Sequence, residues 1–180
     1  MPELEIALNT GLRRSEQYRL EWHDVDLVRR QLTITHSKNG KIRYIPLNSE
    51  ALSAFQTLYE RSTGKGYVFV SATGSHLRGP RHWSEPSARE AGMNQFTWHD
   101  LRHTFASRLV MAGVDLNTVR ELLGHQTVQM TIRYAHLAPS HRLKSVEKLL
   151  RFQTDHVDPT DTRTDTGTFS LHQHGKTDVQ

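Results

Sequence analysis

Cysteine is absent from this 180-residue sequence, and so is any long apolar segment. Without cysteine the chain forms no disulfide, no thiolate nucleophile and no cysteine-ligated zinc site. No apolar run approaches the roughly 18 residues needed to span a bilayer. The first residues also lack the basic start and cleavage pattern of a secretion signal. These absences predict a cytoplasmic protein without a membrane segment.

Apolar residues are also scarce, at 36% of the chain, which indicates that part of the chain lies outside a folded core. Residues 152–180 contain seven threonines and five aspartates and show no periodic apolar face. That composition is typical of a disordered segment. The sequence therefore predicts one folded domain over residues 1–151 and a disordered acidic tail over residues 152–180.

Charge is distributed unevenly between these two parts. The formal net charge is +4 and the sequence pI is about 9.6. Two basic residues against five aspartates give the tail a charge of −3, which leaves +7 on residues 1–151. A basic body predicts a polyanion partner such as nucleic acid, and a merely soluble basic surface is the alternative.

Helical periodicity recurs along the sequence and is interrupted by a hairpin pattern. Apolar residues that alternate on both sides of Asn39-Gly40 predict a β-hairpin. The segment GKGYVFV, residues 64–70, predicts a further short strand. Helices are predicted near residues 4–8, from Ser15 as N-cap, over 49–59, from the low eighties to 91, over 98–111 and 115–123, from Thr127 as cap to about 137, and over 140–150.

Residues suited to phosphate chemistry lie at the ends of these elements. In TGLRRSE, Arg13 precedes a helix and Glu16 follows three residues later. The pair either supports the helix surface or holds an arginine for bidentate phosphate binding. Lys38 at the hairpin tip either aids solubility or reaches a substrate as a mobile ammonium group.

The segment WHDLRHTFASRL is compatible with two different sites. His99 and His103 are one helical turn apart, as in zinc hydrolases with a His-Glu-x-x-His motif. No third-ligand motif accompanies them, and Asp100 is shorter than the glutamate of that motif. Alternatively, His99 acts in acid–base catalysis and Arg102 binds an anion on the same helix face. His103 then faces inward and is structural.

The segment LLGHQTVQMTIRYAHL ends a helix at Gly124 and then presents His125 and Tyr134. Each of these two residues alone is more typical of packing than of catalysis. The basic residues and histidines described above nevertheless form a set of cations and donors suited to a pentavalent phosphate. A tyrosine is a suitable nucleophile toward phosphorus.

Five segments then reveal a family resemblance. TGLRRSE, SKNGKIRYIPL, HDLRHTFASRL, GVDLNTVRELLGH and TIRYAHL resemble, in this order and at fitting spacings, the motifs of the tyrosine recombinase (phage integrase) catalytic domain. The resemblance extends from about residue 4 to residue 150. It implies an α+β fold of the DNA breaking–rejoining type, mainly α-helical with a small antiparallel β-sheet.

The resemblance also implies a reaction on double-stranded DNA. Tyr134 would attack a phosphodiester, which gives a 3′-phosphotyrosyl link and a free 5′-hydroxyl. Lys38 would be the general acid for the departing 5′-oxygen, and Glu16 would orient the first arginine motif. This is the chemistry of a site-specific recombinase or integrase.

The remaining matched residues would act on the phosphate. Arg13 and Arg102 would hold its non-bridging oxygens, where negative charge builds in the transition state. His99 would exchange a proton with the tyrosine, and His125 would donate a hydrogen bond. Because side-chain cations supply the positive charge, neither a metal nor another cofactor is expected. The sequence also lacks the Gly-x4-Gly-Lys-Ser/Thr loop of nucleotide-binding proteins.

Family members typically carry an N-terminal core-binding domain and work as homo-tetramers on DNA that exchange their last helix. This sequence starts close to the first arginine motif, so the core-binding domain is expected to be absent or truncated. The apolar face of residues 140–150 is expected to pack against a neighbouring copy. The source is expected to be bacterial or phage. A non-catalytic DNA-binding remnant and a type IB topoisomerase are the alternatives, and the short chain with its LLGH…Y ending favours the recombinase.

Overall fold

The computed structural model describes residues 1–35, 42–93, 95–139 and Val146. The chain divides into two units, Met1–Pro139 and Ser140–Gln180, and the fold given below is that of the first unit. Lys38 and the predicted hairpin tip lie outside the described residues. So do the acidic tail and, apart from the helical Val146, the predicted last helix.

Helices dominate the described part of the first unit. Its α-helices are α1 (Pro2–Thr10), α2 (Arg14–Gln17), α3 (Ser49–Tyr59), α4 (Arg81–Glu90), α5 (Trp98–Met111), α6 (Leu116–Leu123) and α7 (Gln129–Ile132). Short 3-10 helices cover Trp22–Asp24 and Ala135–Leu137, and the strands are β1 (Val25–Asp26), β2 (Gln31–Ile34) and β3 (Arg43–Pro46). None of the helices among the described residues is long and apolar enough to cross a bilayer.

The three strands form one antiparallel sheet in the order β1-β2-β3. In the β2–β3 register, Leu32 lies opposite Ile45, and both side chains are buried. Tyr44, the neighbour of Ile45, is exposed, as the alternation of side chains along a strand requires. One face of the small sheet therefore covers the apolar core.

Helix α5 connects the two apolar clusters of the unit. Its first turns contribute Trp98 and Leu101 to a cluster formed with α1, α3 and the sheet. Its later turns contribute Phe105 to a second cluster, with Leu123 of α6 and with Tyr134. Any side chain on the face of α5 between these clusters is therefore held on a rigid support.

Glycine allows α1 to approach α5 closely. Gly11 ends α1 in the left-handed conformation, with φ of 61°, where a glycine carries little strain. A Cβ at this position would lie 2.3 Å from the Phe105 ring. This close approach places Arg13, two residues later, beside α5.

The segment that carries Tyr134 is not the single helix that the sequence predicted. The sequence pattern predicted one helix capped by Thr127 and continuing to about residue 137. Instead α7 spans only four residues, with Val128 as its N-cap, and a separate 3-10 helix follows. Tyr134 lies between these two short elements, because the backbone turns before a second helical turn is completed.

Two further local predictions are wrong. Helix α2 begins at Arg14 with Arg13 as N-cap, so Ser15 lies inside the helix. The segment at residues 64–70 does not form a β-strand, although Val68 and Phe69 are buried. Its backbone pairing consists of isolated bridges, Glu21 with Tyr67 and Val70 with His76.

Candidate functional site

A buried carboxylate binds two arginines at one side of the site. Glu16 is only 4% exposed. Its oxygens accept hydrogen bonds from Nη1 of Arg13 at 2.7 Å and from Nη1 and Nη2 of Arg43 at 3.0 and 2.7 Å. They also accept one from the backbone N–H of Arg13 at 2.9 Å. Such charge-assisted bonds compensate a buried carboxylate for its lost hydration.

These contacts keep Glu16 ionised. Burial alone would raise the pKa of Glu16, but the hydrogen bonds and charge of Arg43, with the hydrogen bonds from Arg13, lower it to about 2. The carboxylate is therefore negative at neutral pH and fixes both arginines.

Arg102 on α5 joins the ends of two helices. Its side chain is buried, and its Nη1 and Nη2 donate to the carbonyl oxygens of Gly11, at 2.6 Å, and Leu123. Burial lowers the pKa of Arg102 to about 9, and the charge of Arg13 acts in the same direction. The guanidinium therefore stays positive at neutral pH, between the end of α1 and the end of α6.

His125 follows directly on the left-handed Gly124 that ends α6. Its Nδ1 lies 2.9 Å from Oγ1 of the buried Thr131. Burial, followed by the charges of Arg102 and Arg13, lowers the pKa of His125 to about 4. The imidazole is therefore neutral at neutral pH. If the threonine hydroxyl donates to Nδ1, the ring proton is on Nε2.

The phenol of Tyr134 contacts a histidine of α5. Nδ1 of His103 lies 2.6 Å from the Tyr134 Oη, and the ring of His99 meets that of His103 edge-on, with centroids 4.7 Å apart. Tyr134 is 6% exposed, and burial raises the pKa of its phenol, although the charges of Arg133 and Arg102 oppose the rise. The phenol is therefore protonated at neutral pH.

This arrangement changes the interpretation of the two histidines of α5. The sequence predicted an inward-facing, structural His103 and a proton-transfer role for His99. In the structure His103 contacts the phenol, and His99 is exposed, with its ring edge-on to that of His103. Burial and then the charges on His103 and Arg102 lower the pKa of His99.

Six of the seven predicted site residues lie together. They are close enough for their charges to act on one another or to share hydrogen bonds: Arg13, Glu16, His99, Arg102, His125 and Tyr134. The seventh, Lys38, is outside the described residues. The described residues contain no cluster of three or more metal-binding side chains, so a zinc site on His99 and His103 has no third ligand among them.

Sequence reasoning missed two members of the site. Arg43 was visible only as one basic residue of the alternating segment KIRYIPL. For His103, the spacing of four residues from His99 was a usable signal, but it indicated a metal pair or a structural residue. Tyr134, which His103 contacts, is 31 residues away in the sequence.

Comparison with known proteins identifies the family to which this chain belongs. The phage integrase family model matches residues 3–141, most of the chain. The chain belongs to the phage integrase family. Its resemblance to tyrosine recombinase catalytic domains is thereby confirmed.

Curated relatives within the family are integrases and tyrosine recombinases. The integrase of Salmonella phage P22 is 35% identical over 151 residues, which is 77% of this chain and 39% of the relative. Tyrosine recombinase XerC of Roseiflexus castenholzii is 35% identical over 145 residues, 74% of this chain and 46% of the relative. The chain spans about half the length, or less, of the curated relatives it matches.

Solved structures confirm the predicted fold class. The catalytic domain of bacteriophage HP1 integrase matches with a TM-score of 0.66 and 30% identity, covering 84% of this chain and 82% of that one. The XerH recombinase bound to palindromic difH substrate, in a post-cleavage complex, matches with a TM-score of 0.60 and 26% identity, covering 83% and 45%. The integrase fold is the architecture found here, mainly helical with a small antiparallel sheet.

Proposed function

We propose that this chain is the catalytic domain of a site-specific DNA recombinase that cleaves and rejoins DNA through a 3′-phosphotyrosyl intermediate on Tyr134. The observation that carries the proposal is the position of the Tyr134 phenol. It is hydrogen-bonded to a histidine and lies within electrostatic reach of Arg102. A protonated phenol next to an acceptor and a fixed cation is equipped to attack a phosphodiester.

Two arginines and a histidine would stabilise the charge of the transition state. Arg13 is fixed by Glu16 and stays partly exposed at 21% of its side chain. Arg102 uses two of its five N–H donors on carbonyl oxygens, which leaves donors for the non-bridging oxygens. His125, neutral with its proton on Nε2, would donate a further hydrogen bond. Fixed donors of this kind are the main contribution of a protein to phosphoryl transfer.

Lys38 would protonate the departing 5′-oxygen. It is five residues from Arg43, so the backbone between them spans at most about 18 Å. Arg43 is bound to Glu16 within the site. The described end of the hairpin is thus attached to the site, which supports a reach of Lys38 to the leaving group. In this scheme no metal takes part, and cleavage is expected to continue in EDTA.

The partner in this proposal is double-stranded DNA, and the assembly is a homo-tetramer that exchanges its last helix. The XerH relative was solved on a DNA substrate, and the +7 charge of residues 1–151 suits a polyanion. Val128, Met130 and Ile132 expose an apolar surface around α7 that a neighbouring helix could cover. Light scattering with and without DNA measures the assembly. A DNA complex with a single protein copy would contradict the tetramer.

Trapping the covalent intermediate tests the function. The full chain is incubated in EDTA with nicked duplexes that carry a randomised central segment, because a nick lets the short fragment with the free 5′-hydroxyl diffuse away after cleavage. We expect an SDS-resistant protein–DNA adduct from the wild type and none from Tyr134→Phe. Tyr59→Phe, on α3 and half exposed, is the matched control and should retain the adduct.

Each other outcome contradicts the proposal in a specific way. An adduct from Tyr134→Phe would exclude this tyrosine as the nucleophile. DNA binding without any adduct would favour the alternative, a non-catalytic DNA-binding remnant. Adduct formation that stops in EDTA would show that a metal takes part.

A further inference from the structure

We infer that His103 is the immediate proton acceptor of the nucleophile Tyr134, and therefore a further catalytic residue of this site. The inference rests on the proposed function, since it assigns the proton that the nucleophile must lose. It starts from the 2.6 Å hydrogen bond between the Tyr134 Oη and Nδ1 of His103.

The geometry favours His103 over His99 for this role. Within the part of the chain that the structure describes, His103 is the hydrogen-bond partner of the phenol oxygen. His99 is exposed, and its ring contacts the other histidine edge-on rather than the phenol. His103 is partly buried on α5, the helix that joins both apolar clusters, so its ring is held at a fixed place.

The chemistry requires an acceptor at this position. Burial keeps the Tyr134 phenol protonated at neutral pH, and a neutral phenol is a weak nucleophile. A bond between Oη and phosphorus forms as the bond from phosphorus to the 5′-oxygen breaks. The Oη proton passes to Nδ1 of His103, and the 5′-oxygen takes a proton from the general acid, proposed to be Lys38. Rejoining reverses each step, so the imidazolium returns its proton to the tyrosine.

A carboxylate and a second histidine lie on the same helix as His103. Among the described residues, the charges of His99 and Asp100 interact with His103, and Tyr134 from the segment after α7 contacts it. Asp100 is fixed as a carboxylate, because its Oδ2 accepts hydrogen bonds from the N–H and hydroxyl of Thr97 at 2.7 and 2.9 Å. A carboxylate one helical turn away stabilises an imidazolium more than a neutral ring.

Two variants separate proton transfer from positioning. His103→Ala removes the acceptor. His103→Asn keeps an oxygen near the position of Nδ1 that can accept the phenol hydrogen bond but cannot take up the proton at neutral pH. His136→Ala is the matched control, because this exposed histidine lies two residues from Tyr134. Thermal unfolding checks that each variant is folded. If His103→Ala does not fold, His103→Asn alone tests whether His103 accepts the proton.

The measurement is the single-turnover rate of adduct formation on a nicked duplex recovered from the wild-type adduct, with oxygen or sulfur as the 5′ bridging atom. A thiolate leaves without a proton, so sulfur removes the need for a general acid and leaves the need for a base. We expect both His103 variants to be about 10²-fold or more slower than the wild type on either substrate, since a positioned base contributes 10²–10⁴-fold. The His136→Ala control should match the wild type.

Two results would overturn the inference. A wild-type rate for His103→Asn would mean that the side chain only positions the phenol. Recovery of the variants on the sulfur substrate would place His103 on the leaving-group side. In both cases the wild type still forms its adduct, whereas failure of the proposed function is recognised by the absence of a wild-type adduct.

Discussion

Two regions of the site meet at Gly124 but are built differently. We call them the arginine side, formed by Arg13, Glu16, Arg43 and Arg102, and the tyrosine side, formed by His125, Thr131 and Tyr134 together with the short elements that carry them. The arginine side contains a carboxylate with four hydrogen bonds and a guanidinium that joins two helix ends. The tyrosine side contains a four-residue helix and a 3-10 turn.

Among the described residues, the tyrosine side has fewer side-chain hydrogen bonds. The bond between His125 and Thr131 lies within it, and the bond between Tyr134 and His103 joins it to α5. Met130 and Ile132 on α7 are exposed. Short elements with exposed apolar residues belong to the parts of a protein that open most readily. The charges proposed to bind phosphate are therefore held by the fold itself, and the proposed nucleophile lies on the segment that opens at lower cost.

The largest expected effect comes from removing the carboxylate of the arginine side. Glu16→Ala leaves Arg13 and Arg43 without their counter-charge, and breaking a buried ion pair in this way costs roughly 3–5 kcal/mol. The free energy of unfolding in urea measures this loss. Glu121→Ala removes an exposed carboxylate that pairs with Arg120 and should cost less than about 1 kcal/mol. Equal losses for the two variants would show that the buried network is not the main support.

Acid should weaken the same network. The folded-state pKa of Glu16 is lowered to about 2 from an ordinary value of 4.5, so its contribution is fully present above pH 4.5. It is lost as the pH falls from about 4.5 toward 2, because the unfolded chain takes up the proton first. Unfolding in urea across this range should show a steeper loss for the wild type than for Glu16→Gln. If the free energy of unfolding falls equally with pH in both proteins, the lowered pKa of Glu16 does not stabilise the fold.

The next effect tests the close packing that holds the arginine side against α5. Gly11→Ala combines left-handed strain with a clash against Phe105 and should cost roughly 2–4 kcal/mol. Gly92→Ala is a matched control, because Gly92 has a φ of 72° but no atom within 4 Å of an added Cβ. It should cost only about 1 kcal/mol. If the two variants unfold at the same urea concentration, the packing argument fails.

The smallest effect is expected on the tyrosine side. Thr131→Val removes the hydroxyl bound to His125 and keeps the side-chain shape, which should cost about 1 kcal/mol. Thr127→Val, at an exposed position, is the control and should be neutral within roughly 0.5 kcal/mol. A loss from Thr131→Val as large as that from Glu16→Ala would remove the contrast between the two sides.

Features with a local signal in the sequence were predicted well. Asp115 caps α6 and Gly124 ends it, as the residue types indicate. The helix predicted over residues 49–59 and the family motifs were equally direct. Such signals depend on a few neighbouring residues and not on contacts with distant parts of the chain, so they can be recognised in the sequence alone.

Features that depend on distant contacts were not predicted. Arg43 belongs to the site because the register of β3 places it against Glu16, 27 residues away. The break between α7 and the next turn accompanies the contact of Tyr134 with His103, and it has no local signal, because residues 127–137 contain no glycine or proline. Role assignments that depend on a pair, such as His103 with Tyr134, need the fold.

The most direct test of the central claim is to identify the residue that carries DNA. The adduct formed in EDTA is trimmed with nuclease and digested with trypsin, and the peptides are analysed by mass spectrometry. We expect a 3′-phosphonucleotide on Tyr134, within the peptide of residues 134–142 that begins after Arg133. A nucleotide on any other residue would contradict Tyr134 as the nucleophile of this site.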